Sequence, residues 1–179
     1  MNDLVTEIVF SKKEIEARCK ELGKQISKDY KGKKPLLIGL LKGSVPFMAE
    51  LIKNITIDME IDFMDVSSYN GIHSTGAVTI LKDVKQSVVN RDVIFVEDIV
   101  DTGLTLLEVM NLFKDRGAKS LEIAALLDKP SGRKTEYINP KYIAKTIEGG
   151  FVVGFGLDYN QLYRNLPYVG ILNPKYVTK

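Results

Sequence analysis

One cysteine, one histidine and no apolar run of membrane-spanning length set the first limits on this 179-residue chain. Cys19 has no second cysteine to pair with, so no disulfide can close within the chain, as expected of a protein kept in a reducing compartment. No activating neighbour is suggested for it, and it reads as an inert thiol. His73 alone cannot build a histidine-based metal site or a histidine-assisted triad, and it reads as an exposed loop residue. The start, Met1-Asn-Asp-Leu4, lacks the basic and apolar regions of a signal peptide, so the expectation is a cytoplasmic protein. An excess of one charge is also missing. Lys and Arg number 25 against 23 Asp and Glu, and the net charge of +2 gives no support for a nucleic-acid or membrane partner. Gly154 and Gly156 lack the third glycine and following helix of a dinucleotide fingerprint. There is no repeat, linker or low-complexity stretch, so residues 1–179 are expected to form a single domain.

Ser11-Lys-Lys-Glu14 is a capping-box pattern, and Ile15, Cys19, Leu22 and Ile26 follow at helical spacing, predicting an amphipathic helix to about Tyr30. Strands are expected over Leu36–Leu41, Ile55–Val66, Val78–Leu81, Val93–Val96, Ser120–Leu127, Phe151–Leu157 and Tyr168–Leu172. A turn at Lys42-Gly43-Ser44 precedes a short helix over Val45–Ile52. A second helix runs from Leu104 to Arg116, with Gly117 as its C′ residue. Strands alternating with helices predict an α/β fold whose mostly parallel sheet is flanked by helices on both faces.

The most informative stretch is Val93-Ile-Phe-Val-Glu97-Asp98-Ile-Val-Asp101-Thr102-Gly103-Leu104-Thr105. Its first four residues are apolar without alternation, as in a strand covered on both faces. Such a strand has no structural need for carboxylates at its C-terminal tip. A lone acid before a helix reads as a cap, but three acids followed by Thr-Gly-x-Thr do not. In open α/β sheets ligands sit beyond the carboxyl ends of the strands. Ile99, Val100, Asp101, Thr102, Gly103, Leu104 and Thr105 bring small side chains, two hydroxyls and the free N–H groups of a helix start, which suit a phosphate monoester. Like charges repel, so Glu97 and Asp98 suit sugar hydroxyls or a divalent cation instead. Asp101 stands where a proton acceptor could face a reacting base.

This element resembles the phosphoribosyl-diphosphate signature of the type I phosphoribosyltransferases, in the form found in their hypoxanthine-guanine branch. The similarity extends from about Ile8 to Leu172. The resemblance implies purine salvage: a 6-oxopurine and phosphoribosyl diphosphate, with Mg²⁺, would give IMP or GMP and diphosphate. It also implies a small hood lobe from the N- and C-terminal segments and a homodimer or homotetramer. It assigns Lys42, Gly43 and Arg164 to the diphosphate, and often holds the peptide before the lysine in the cis form. Ser68 and Tyr69 would also meet the diphosphate, from a polar lid spanning Ser67 to Gly76 that shields a cationic ribosyl centre from water. Asp101 would accept the N7 proton, while Lys129 would donate to O6 and reject a 6-amino group. Phe151 would stack on the base and the Val152 backbone would bond its edge. Asp158 would contact the purine edge or the metal, together with Glu97 and Asp98.

One segment departs from the pattern. Many relatives carry Pro-Asp-Lys-Phe ahead of the purine strand, where this chain has Glu148-Gly149-Gly150-Phe151, which leaves the ranking of hypoxanthine, guanine and xanthine open. Two alternatives differ in kind: a transferase directed to xanthine or adenine, and a non-catalytic nucleotide-binding regulator. Lys129 argues against adenine, and the filled catalytic positions and small net charge argue against the regulator.

Overall fold

The computed structural model describes residues 3–68 and 78–177. Nine strands and three α-helices are found among them: β1 (Val5–Phe10), α1 (Lys12–Asp29), β2 (Leu36–Leu40), α2 (Val45–Ile52), β3 (Glu60–Ser68), β4 (Val78–Lys82), β5 (Asp92–Val100), α3 (Leu104–Asp115), β6 (Ser120–Asp128), β7 (Tyr142–Thr146), β8 (Val152–Val153) and β9 (Val169–Leu172). Six strands form the main sheet in the order β4-β3-β2-β5-β6-β7. All pairings in it are parallel except β3 with β4.

Alternation along the central strands builds two cores. Leu37, Ile94, Val96, Ala124 and Leu126 point to the face covered by α1 and α2, where Ile15, Cys19, Leu22, Phe47 and Leu51 meet them. Leu36, Ile38, Val93, Phe95, Ile123 and Ala125 point to the other face, against Leu106, Val109 and Phe113 of α3. Phe95 and Phe113 meet edge to face at 5.0 Å. Truncating one of these buried leucines to alanine should cost about 2–5 kcal/mol. The capping box at Ser11 and Glu14 forms as the sequence predicts, and Gly117 takes the left-handed conformation that ends α3.

A second sheet, β1-β9-β8, is antiparallel and joins the N-terminal segment to the C-terminal one, as expected for the hood. Its inner side buries Leu4, Val153, Leu166 and Leu172.

The strand predicted from Ile55 begins only at Glu60, whose partner is Leu36. Ile55, Ile57 and Met59 instead pack on the α1/α2 core as an unpaired approach, which imitates alternation. The extended run predicted over Phe151–Leu157 is cut to Val152–Val153, because Gly154, Phe155 and Gly156 all adopt positive φ. Strand β7 was not foreseen. Tyr142-Ile-Ala-Lys-Thr146 is short, and Lys145 spends its charge over the Phe10 ring.

Chain order decides where a crevice opens. From β2 the chain passes to β3 on one side, then returns to β5 on the other, so β2 and β5 flank a topological switch point.

Candidate active site

The carboxyl ends of β2 and β5 bring together Lys42-Gly43 and the acidic run. The Leu41–Lys42 peptide is cis, as the resemblance implied. Lys42 is exposed, but Gly43 is buried. A Cβ on Gly43 would stand 1.6 Å from Asp98 Oδ2, and one on Gly156 would stand 1.9 Å from the Gly43 carbonyl. Three segments therefore touch through glycine backbone, which gives Gly156 a packing role rather than a nucleotide-fingerprint one.

The acids are less exposed than a strand tip implies. Strand β5 continues through Val100, so Glu97 and Asp98 lie within it and only Asp101 lies beyond it. Both keep some surface, yet burial followed by the neighbouring Asp98 charge holds the Glu97 carboxyl well above its ordinary value. Burial also raises the Asp98 carboxyl, with Asp158 adding to the rise. The Ile99 N–H, 2.8 Å away, and the Arg164 charge oppose it. Glu97 and Asp98 line different cavities. Glu97 faces one of about 120 Å³ walled by the segment from Ile99 to Leu106, a size and lining that suit a phosphate. Asp98 faces one of about 220 Å³, shared with Asp101, Lys129, Gly150, Phe151, Val152, Leu157 and Asp158.

Lys129 caps the end of β6, and its Nζ lies 3.3 Å from Asp101 Oδ2. Phe151 is 53% exposed at the rim and meets Tyr159 edge to face at 5.6 Å. Val152 is buried. Phe155 is partly buried and packs on the main core. Arg164 is bound up with other members of the site: Nη1 donates to the Gly156 carbonyl at 2.7 Å, and Nη2 pairs with Asp158 at 2.8 Å. Its buried Nε has no partner among the described residues. The described residues hold no cluster of three or more acids, cysteines or histidines able to bind a metal. Ser67 and the backbone of Ser68 end β3. The Ser68 side chain, Tyr69, His73 and the rest of the predicted lid to Gly76 lie outside the described residues.

Sequence reasoning missed Arg133. It follows a 3₁₀ turn at Pro130–Gly132 and reaches back under the end of β5. Its Nε donates to the Asp101 carbonyl at 3.0 Å and Nη2 to the Val100 carbonyl at 3.2 Å. The guanidinium also bonds the Asp128 carboxylate and the Ile138 carbonyl. An isolated arginine in an irregular loop gives no periodic or motif signal.

A buried β5 carrying acids near its end, a phosphate-sized loop at the start of α3 and a base-sized cavity beside it define an α/β protein suited to hold a sugar phosphate next to a flat base. The phosphoribosyl transferase domain model matches residues 6–160, and the chain belongs to that family, in its hypoxanthine-guanine branch. It is 54% identical over 176 residues to the hypoxanthine-guanine phosphoribosyltransferase of Streptococcus mutans, covering 98% of this chain and 97% of that one. Among solved structures it is similar to a hypoxanthine phosphoribosyltransferase from Staphylococcus aureus (TM-score 0.96, 49% identity, 100% and 97% of the chains covered). It is also similar to the hypoxanthine phosphoribosyltransferase of Trypanosoma cruzi in complex with the product IMP (TM-score 0.92, 37% identity, 98% of each chain covered).

Proposed function

We propose that this protein transfers the 5-phosphoribosyl group of phosphoribosyl diphosphate to N9 of hypoxanthine or guanine, giving IMP or GMP and diphosphate. The observation that carries this reading is the placement of Asp101 and Lys129 3.3 Å apart, at the ends of adjacent parallel strands. Asp101 lines both the phosphate-sized cavity and the base-sized one, and Lys129 lines the base-sized one. N7 and O6 share one edge of a 6-oxopurine, so one carboxylate and one ammonium can read both.

In this mechanism the 5′-phosphate rests on the Asp101–Thr105 loop, held by backbone N–H groups and the Thr102 and Thr105 hydroxyls. Glu97 and Asp98 take the ribose hydroxyls. Phe151 offers a face for the purine and Val152 backbone groups for its edge. Lys42, Gly43 and Arg164 receive the diphosphate, with Ser68 and Tyr69 joining them. The C1′–oxygen bond breaks with its electron pair leaving on the diphosphate, and the N9 lone pair closes on C1′. The proton at N7 passes to the Asp101 carboxylate while Lys129 stabilises charge on O6. A 6-amino group offers an ammonium no lone pair of comparable strength, which disfavours adenine.

The acids fit a Mg²⁺ ion held partly by substrate. Asp98 and Asp158 line one cavity and Glu97 adjoins Asp98 on β5, so these are the carboxylates that would hold it. With no all-protein cage among the described residues, diphosphate oxygens and water would complete the shell. When bound, the ion neutralises the leaving diphosphate. No described helix is long and apolar enough to cross a membrane, and the single cysteine supports a cytoplasmic enzyme, which we place as a homodimer or homotetramer. Phosphorus NMR tests the reaction. Signals of IMP and diphosphate should replace those of phosphoribosyl diphosphate only when hypoxanthine is present.

A further inference from the structure

The segment from Lys129 to Lys134 holds three successive carbonyls of the phosphate loop. The Val100 carbonyl accepts from the Lys129 N–H at 3.0 Å and from Arg133 Nη2 at 3.2 Å. The Asp101 carbonyl accepts from Arg133 Nε at 3.0 Å, and the Thr102 carbonyl from the Lys134 N–H at 2.9 Å. In a trans peptide the C=O and the following N–H point in opposite directions. Fixing these oxygens on the Arg133 side therefore turns the N–H groups of Asp101, Thr102 and Gly103 away from it. Among the described residues none of those three N–H groups donates to a backbone carbonyl. The cavity of about 120 Å³ is walled by this same loop. Gly103 lets the brace come close, since a Cβ there would stand 3.1 Å from Arg133 Cδ.

We infer that Arg133 is a positioning residue for phosphoribosyl transfer: it braces the Val100 and Asp101 carbonyls so that the loop N–H groups face the 5′-phosphate and the Asp101 carboxylate faces the base. This inference rests on the proposed function. Asp128 keeps the guanidinium in place, with side-chain exposures of 9% for Asp128 and 15% for Arg133. The fork geometry matters. A lysine could keep the Asp128 contact but cannot bridge two carbonyls and a carboxylate from one rigid plane. On the far side, the Asp101 carboxylate lies against Gly132, where a Cβ would stand 1.6 Å from Oδ1. The same short segment thus touches both ends of Asp101.

The test compares wild type, Arg133→Lys, and a double variant, Arg133→Met with Asp128→Leu, which removes both charges of the buried pair. Each is assayed at a temperature where circular dichroism shows it folded. The expected result is a fall in kcat/KM for phosphoribosyl diphosphate of roughly 10²-fold. Affinity for ribose 5-phosphate, measured by calorimetry, should weaken in parallel, while KM for hypoxanthine changes little. A purely structural arginine would lower the melting temperature and leave these constants alone. Folded variants with wild-type kcat/KM and ribose 5-phosphate affinity would overturn the inference. So would failure of both variants to fold, which would make Arg133 a fold residue only. Wild-type protein without turnover would overturn the proposed function instead, so the two failures are distinguishable.

Discussion

Asp101 and Lys129 neutralise each other across the ends of β5 and β6, with 3.3 Å between Oδ2 and Nζ. The two groups assigned to N7 and O6 are thus already at the spacing of one purine edge. Their side chains are 42% and 23% exposed, so parting them to admit a base should cost no more than about 1 kcal/mol.

Asp101→Asn keeps the shape and removes the proton acceptor. We expect kcat to fall roughly 10²-fold or more, with nucleotide binding largely retained. Steady-state kinetics together with IMP titration check this, and near wild-type turnover would remove Asp101 from the mechanism.

Lys129→Ala should cost hypoxanthine turnover far more than adenine turnover, because only the oxopurine loses a partner. An unmet buried polar contact is worth about 1–3 kcal/mol, and more when charged. The ratio of the two kcat/KM values should therefore drop at least roughly tenfold in the variant.

Gly43→Ala should impair phosphoribosyl-diphosphate binding. The new methyl would meet the Asp98 carboxylate at 1.6 Å, so the loop or the acid must move. We expect a raised KM for phosphoribosyl diphosphate and a lowered melting temperature. Unchanged values of both would show that this contact carries no weight.

The acids of β5 predict an unusual pH response. Folding raises the Glu97 and Asp98 carboxyls, so the folded chain holds those protons to higher pH than the unfolded chain does. Their contribution to stability is complete below the ordinary carboxyl range and is lost as pH rises through the raised values. Several other carboxyls, such as Asp62 and Asp83, shift the opposite way, so the difference between wild type and Glu97→Gln isolates the effect. That variant should melt above wild type at pH 8 and lose the advantage towards pH 4. A lower melting temperature at both values would mean the Glu97 charge is needed by the fold.

Much of this could be read from sequence where the signal is local. Ser11 and Glu14 cap α1 because a capping box needs only four residues, and Val93 to Thr105 carries strand, acids and loop in one continuous stretch. Contacts between distant segments left no such trace. The approach of Asp98 to Gly43, the reach of Arg133 under Val100 and the pairing of Arg164 with Asp158 depend on how β2, β5 and the hood are stacked. The position of Glu97 and Asp98 differs for a related reason. The apolar run places them at the tip of a strand ending at Val96, whereas pairing with β6 carries the strand past them to Val100.

The most direct measurement offers the wild-type protein phosphoribosyl diphosphate, Mg²⁺ and equal amounts of hypoxanthine, guanine, xanthine and adenine, and separates the nucleotides formed. The account predicts IMP and GMP as the main products, one diphosphate per nucleotide, and almost no AMP. AMP formed as fast as IMP, or phosphoribosyl diphosphate left unconsumed with every base, would contradict it.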